Sequence, residues 1–272
     1  MNLSHKKAMT ILIDTAIKAT IKAGQAIIEI YTDPTIDFSV ERKADNSPLT
    51  IADKAANKII EELLQETGIP ILSEEGKHTD YKIRKQWKRF WLVDPLDGTK
   101  EFIKKNDEFT VNIALIVDQK PVMGVIYIPV TQMLYIGNIT EGAWKFKTDN
   151  KNTTFQEITK NGTKIPKDSK NDHYVIVGSR SHMSKETETY INKLAQEHGK
   201  IEMISSGSSI KICMVAEGKA DEYPRFGPTM EWDTAAGHAI ANAAGKTLWL
   251  SDFSNELIYN KENLLNPYFI VK

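Results

Sequence analysis

The stretch WLVDPLDGTKEF, residues 91–102, decides how the rest of the chain is read. An apolar run of strand character drives into Asp94 and Asp97, with Pro95 and Leu96 between them and Gly98-Thr99 at once behind. Asp-Pro and Asp-Gly are common turn pairs, and a plain turn is the simplest reading. Three features point further. Pro95 biases Asp94 toward an extended backbone. Gly98 lets backbone approach a ligand closely. Thr99 opens the polar-led segment KEFIKK, so a helix start with free amide groups is expected to face back toward the aspartates. Clustered carboxylates need cations among them, and all-oxygen donors select Mg²⁺, Mn²⁺ or Ca²⁺. A metal and an anion at one point describe a phosphate ester, with two-metal chemistry open to it.

Working outward, residues 10–31 carry Ile13, Ile17, Thr20, Gly24, Ile27 and Tyr31 at steps of three and four, which predicts a long amphipathic helix. Thr50 to Gln65 repeats the pattern through Ile51, Ala55, Ile59 and Leu63, and Thr50-Ile51-Ala52-Asp53 reads as a capping box. IPILSEEG (69–76) predicts a short buried strand delivering Glu74 and Glu75 into a loop. Next come WKRFWLVD, FTVNIALIV, PVMGVIYIPV and QMLYIG, β-rich runs at hairpin spacing that predict an antiparallel sheet. The polar, turn-rich segment after Lys145 places a lobe boundary near residue 150. Beyond it, strand and helix alternate, so the expected organisation is an N-terminal α+β lobe over 1–150 and a C-terminal α/β lobe over 151–272.

Composition narrows the function. The 272 residues suffice for one large domain or two intimate lobes. With 35 Lys and Arg against 36 Asp and Glu, the net charge of −1 offers no global field for nucleic acid or an anionic membrane. Cys213 is the only cysteine, which excludes an internal disulfide and suits a reducing compartment. Lys219, not arginine, stands six residues after it, so Cys213 lacks the phosphate-holding arginine of cysteine phosphatases and reads as core packing. No signal-peptide pattern and no membrane-length apolar run occur, which predicts a soluble cytoplasmic protein. A DxDGT motif would signal a haloacid-dehalogenase phosphatase; here the aspartates stand three apart, after two helices and a strand.

Taken in order, Glu74-Glu75, the WxVDPxDGTxxF pattern of Trp91 to Phe102, and Trp232-Asp233 before a late helix resemble the inositol monophosphatase superfamily of metal-dependent phosphatases. KADNSPLTIAD, SRSH, GSSIKICMVAEGKADEYPRFGP and EWDTAAGHA extend the likeness over nearly the whole chain, toward its bacterial 3′(2′),5′-bisphosphate nucleotidases.

The resemblance implies an α/β (α+β) fold, a layered αβαβα sandwich. It implies Glu74, Asp94, Asp97 and Asp233 as side-chain metal ligands, with the Leu96 carbonyl as another, holding two or three Mg²⁺ ions for which Mn²⁺ can substitute. It implies Thr99 with either Asp45 or Glu74 as the pair that activates water, and Gly98 and Thr99 as the cradle of the scissile phosphate. Ser179, His182, Gly207, Ser208 and Lys211 would line the nucleotide pocket beside Asp233, with Arg225 as a phosphate clamp. The implied reaction is lithium-sensitive, Mg²⁺-dependent hydrolysis of adenosine 3′,5′-bisphosphate to AMP and phosphate. Its implied partner is that small nucleotide, with no nucleic acid and no integral membrane segment, although peripheral attachment to the cytoplasmic face of the inner membrane stays open. An inositol monophosphate or sugar phosphate substrate is the alternative within the superfamily. A non-catalytic nucleotide or metal sensor is the alternative outside it. From the residues alone, His182 also fits a surface turn and Lys211 a solvated helix face.

Overall fold

A computed structural model describes residues 3–35, 41–42, 48–77, 79–166, 173–178 and 184–272. The first half opens with α1 (Leu3–Thr32), the two-residue strands β1 (Glu41–Arg42) and β2 (Pro48–Leu49), and α2 (Ile51–Gln65). There follow β3 (Ile71–Ser73), α3 (Tyr81–Arg84), β4 (Arg89–Asp97), α4 (Thr99–Ile103), β5 (Thr110–Val117), β6 (Lys120–Ile128), β7 (Met133–Asn138), β8 (Gly142–Lys147), α5 (Phe155–Asn161) and β9 (Thr163–Ile165). Strands β3 to β9 form one seven-stranded sheet in chain order. Only β3 and β4 pair in parallel; every later neighbour is antiparallel.

The apolar run before Asp94 is continuous because both faces of β4 are covered. Trp91 and Val93 point into a core shared with α1 and α2, whereas Phe90 and Leu92 point into a second core on the opposite face. The sheet continues past residue 150 through β9, and its second face is closed by a helix from much later in the chain.

That helix is α8 (Glu231–Ala243). The C-terminal elements before it are β10 (Tyr174–Gly178), α6 (Lys185–His198), β11 (Ile201–Ser205), α7 (Ile210–Ala216) and β12 (Tyr223–Arg225). After it come β13 (Leu248–Leu250) and β14 (Phe269–Val271). Strands β10 and β11 pair in parallel, β14 lies between β12 and β13, and an Ile176–Glu222 bridge joins the two groups. Helices α7 and α8 lie between the large sheet and these strands, and α6 packs outside β11 and β12. The result is the expected αβαβα layering.

α8 sits unusually close to the large sheet. A Cβ on Gly124 would lie 2.2 Å from the Ala236 carbonyl oxygen, and one on Gly137 would lie 2.4 Å from Cα of Ile240. The small residues of DTAAGHA make this approach possible, and it brings the first turn of α8 against the sheet's end. His238 of α8 is buried among the C-terminal segments, with Nδ1 3.0 Å from the Tyr259 hydroxyl and Nε2 3.1 Å from Thr247 Oγ1. Burial pushes its pKa down to about 3. The native state therefore refuses a proton that the unfolded chain accepts near pH 6.5, so stability is lost as pH falls from there toward 3. Between pH 6.5 and 5 this residue alone removes about 1.5–2 kcal/mol. Urea unfolding across that range checks it: His238→Gln flattens the slope, and an unchanged slope refutes the assignment.

Candidate active site

β3 and β4 end side by side, and the Glu74 amide donates to the Val93 carbonyl at 3.1 Å. That bond places Glu74 next to Asp94. Asp233 arrives from the first turn of α8, where its Oδ2 accepts from the Met230 amide at 2.8 Å. Carboxylate oxygens of Glu74, Asp94 and Asp233 all lie within 4.8 Å of one another. Burial, and then the Glu74, Asp97 and Asp233 charges, push the Asp94 carboxyl well above the usual range. Burial with Asp97 and Glu74 does the same to Asp233. Three carboxyl groups converging in this way could hold a hard cation, and a bound cation would remove the repulsion.

Asp97 leaves β4 after a shift in its pairing with β5, between Asp94–Asn112 and Asp97–Thr110. Its Oδ2 accepts from the Ser209 amide at 2.6 Å and from Asn112 Nδ2 at 3.4 Å. Ser209 Oγ in turn donates to Asn112 Oδ1 at 2.9 Å and lies 2.8 Å from Thr110 Oγ1. This small network ties the N-terminal sheet to the start of α7. Leu96 donates its amide to Asp94 Oδ1 at 3.0 Å, and its carbonyl lies 3.3 Å from Thr99 Oγ1.

The structure gives Thr99 a partner that sequence reasoning missed. Asp45 lies outside the described residues. Among the described residues, the carboxylate that meets Thr99 is Asp53, whose Oδ1 accepts from Thr99 Oγ1 at 3.2 Å. Asp53 Oδ2 accepts from the Thr50 amide and hydroxyl at 2.7 and 2.6 Å, so the predicted capping box is present. One carboxylate thus caps α2 with one oxygen and faces the site with the other. The signal was in the chain, since a capping aspartate with a spare oxygen is available to a second partner.

Gly98 has φ 93°, in the left-handed region, and α4 behind it is only five residues long. Glu74, Asp97, Gly98, Thr99, Thr229, Trp232 and Asp233 line one cavity. A second cavity shares Asp97, Gly98, Glu101, Thr229 and Asp233 and extends to Gly207, Ser208, Lys211, Tyr223 and Arg225. The two form a cleft with an acidic end and a cationic end.

Lys211 is not on a solvated helix face. It is 6% exposed, and Nζ donates to the Ser208 carbonyl at 2.6 Å and the Ser206 carbonyl at 3.3 Å. Burial lowers its pKa to about 8. Arg225 donates from Nη2 to the Pro228 carbonyl at 3.0 Å, while its Nε and Ser208 Oγ are buried with no hydrogen-bond partner among the described residues. Ser179 and His182 lie outside the described residues. Cys213 is fully buried, and burial pushes its thiol well up, as core packing requires. Among the described residues, no helix is long and apolar enough to cross a membrane.

The inositol monophosphatase family pattern matches residues 9–266. The crystal structure of CysQ from Bacteroides thetaiotaomicron, a bacterial member of that family, superposes with a TM-score of 0.88 at 54% identity, covering 98% of this chain and 97% of that one. The 3′(2′),5′-bisphosphate nucleotidase CysQ of Salmonella typhimurium is 46% identical over 254 residues, 92% of this chain and 94% of the relative. Its counterpart in Escherichia coli K12 is 44% identical over 265 residues, 96% and 99% of the two chains. Family pattern, superposition and the acidic cluster agree: the chain belongs to the inositol monophosphatase family, whose members are metal-dependent phosphatases.

Proposed function

We propose that this protein is a 3′(2′),5′-bisphosphate nucleotidase, which hydrolyses adenosine 3′,5′-bisphosphate to AMP and phosphate. The observation that carries the reading is the two-ended cleft. Carboxylates for hard cations stand at one end and buried cationic and hydroxyl groups at the other, joined through Asp97, Gly98 and Asp233. A ligand with two phosphates fits it; a monophosphate uses only the acidic end. The relatives named as bisphosphate nucleotidases support the same choice.

Glu74, Asp94, Asp97 and Asp233, with the Leu96 carbonyl, would hold Mg²⁺, two or three ions, with Mn²⁺ as a substitute. Such ions, when bound, polarise phosphoryl oxygens and acidify water. The chain's own groups do the rest. Thr99 Oγ1 accepts a hydrogen bond from the attacking water while donating to Asp53 Oδ1, and Asp53 takes up the proton. Its second oxygen, held by Thr50, keeps the carboxylate from turning away. Glycine at 98 lets the chain turn at φ 93° against the Glu108 carbonyl, where a Cβ would stand 3.1 Å away, and so sets the backbone that would face the phosphate. Among the described residues, no serine or cysteine lines the acidic end of the cleft, so water attacks phosphorus directly and the ester bond breaks with inversion.

Phosphate release from adenosine 3′,5′-bisphosphate, inositol monophosphate and fructose bisphosphate, each with Mg²⁺, tests the reading. Preference for the nucleotide supports it. Preference for an inositol phosphate leaves the family and removes the specific assignment, and no release from any of them leaves a sensor. Thr99→Val lowers kcat about a hundred- to a thousandfold with little change in KM, because the hydroxyl acts on the attacking water. Equal losses in kcat and substrate affinity would make Thr99 a binding residue instead.

A further inference from the structure

Two chain segments bring groups to the two ends of the cleft: Asp97, Gly98 and Thr99 where β4 passes into α4, and Gly207, Ser208 and Lys211 where the chain enters α7. One segment separates them. The Glu108 carbonyl oxygen lies 3.1 Å from where a Cβ on Gly98 would stand and 2.8 Å from where one on Gly207 would stand. The backbone at residue 108 is thus wedged between the two segments, which meet beside it through the Ser209 amide and Asp97.

The turn that sets this wedge, residues 104–108, is held in an uncommon shape. Lys105 has φ 57° and Asp107 φ 70°, left-handed values that side chains other than glycine enter at a cost. Tyr31, at the far end of α1, grips the turn from behind. Its ring centroid lies 5.2 Å from Phe102 and 4.9 Å from Phe109, which bracket the turn. Its hydroxyl donates to Asp107 Oδ1 at 2.7 Å, and its carbonyl accepts from Lys105 Nζ. Burial and the Asp107 carboxylate raise the Tyr31 hydroxyl to about 12, so it remains a donor.

We propose that Tyr31 and Asp107 form a positioning pair that fixes the gap between the two ends of the cleft by holding the 104–108 turn in its left-handed form. Neither residue lines the cleft; both act through Glu108. The pair bears on the phosphatase reading only through its rate readout. Glycine enters the left-handed region without cost, so a glycine at 107 keeps the turn without needing the tyrosine hydroxyl.

Tyr31→Phe, Asp107→Ala and the double variant Tyr31→Phe/Asp107→Gly are compared for kcat/KM on adenosine 3′,5′-bisphosphate with Mg²⁺. Hydrogen exchange is followed in peptides covering 97–102 and 206–211 without substrate. Each single variant lowers kcat/KM about three- to tenfold, the worth of one partly buried hydrogen bond, and speeds exchange in both peptides. Glycine in the Tyr31→Phe background restores rate and exchange to within about twofold of the original. A double variant no better than Tyr31→Phe, or unchanged exchange in both peptides, overturns the proposal. If the unmodified protein releases no phosphate from the nucleotide, the phosphatase assignment fails, and exchange alone decides the pair. If Tyr31→Phe does not fold, Asp107→Ala against Asp107→Gly decides: the same advantage for glycine supports the pair, and equality overturns it.

Discussion

Asp94→Asn abolishes most phosphatase activity and at the same time leaves the metal-free protein at least as stable as before. The two halves have one cause. Asp94 is 1% exposed and faces the Glu74, Asp97 and Asp233 charges, so its negative charge is unfavourable in the absence of cations. Asparagine keeps the shape and the acceptor that the Leu96 amide uses, 3.0 Å away, so the β4 terminus is preserved. It loses the charge that would hold a hard cation against phosphate. The expected fall in kcat/KM is about a thousandfold, equivalent to roughly 4 kcal/mol of transition-state stabilisation. Calorimetric titration with Mg²⁺ and Mn²⁺ shows weakened binding, and thermal unfolding without metal shows an equal or higher midpoint. Retention of more than about a tenth of the activity at saturating Mg²⁺ would remove Asp94 from the ligand set, because loss of one ligand charge is worth far more than one tenfold step.

Why so much of this site was legible follows from the physics of β4. A strand buried on both faces must read as an unbroken apolar run, and such a run ending in two aspartates has few explanations. The antiparallel runs β5 to β7 and the helix α2 were legible for similar reasons, through β-rich composition and a capping box. The rest fell where short elements borrow stability from elsewhere. β9, β13 and β14 have three residues each and carry no pattern of their own. α5 lies within a segment whose polar, turn-rich composition hid it, and only Phe155 and Ile158 of its residues are buried. Asp53 was read only as a cap, since its second partner, Thr99, is 46 positions away and meets it only after folding. Thr110 and Asn112 left a weaker trace: two polar residues on the same side of an otherwise apolar strand, turned toward Ser209. From the residues alone Lys211 also fitted a solvated helix face, because α7 looks amphipathic in isolation, yet the helix packs between α8 and the strands β10 and β12.

The burial of Lys211 sharpens what substrate choice depends on. A buried ammonium with two carbonyl partners retains a third donor, and Arg225 Nε has no partner among the described residues. Both groups line the end of the cleft away from Glu74 and Asp94. A second phosphate placed there gains charge-assisted hydrogen bonds of roughly 1.5–3 kcal/mol each, about tenfold to a hundredfold in binding. Lys211→Met keeps the volume and removes the charge; Arg225→Ala removes the fork. Each lowers kcat/KM for adenosine 3′,5′-bisphosphate at least about tenfold, while hydrolysis of a small monophosphate hardly changes, its only phosphate lying at the acidic end. The pH dependence separates charge from packing. With its pKa lowered to about 8, Lys211 is charged below that pH and neutral above it, so the preference for the bisphosphate declines as pH rises through 8. Lys211→Met shows a flat preference over the same range. Equal losses on both substrates would make Lys211 and Arg225 supports of the loop at Gly207, and the second phosphate would then have to be held elsewhere in the cleft.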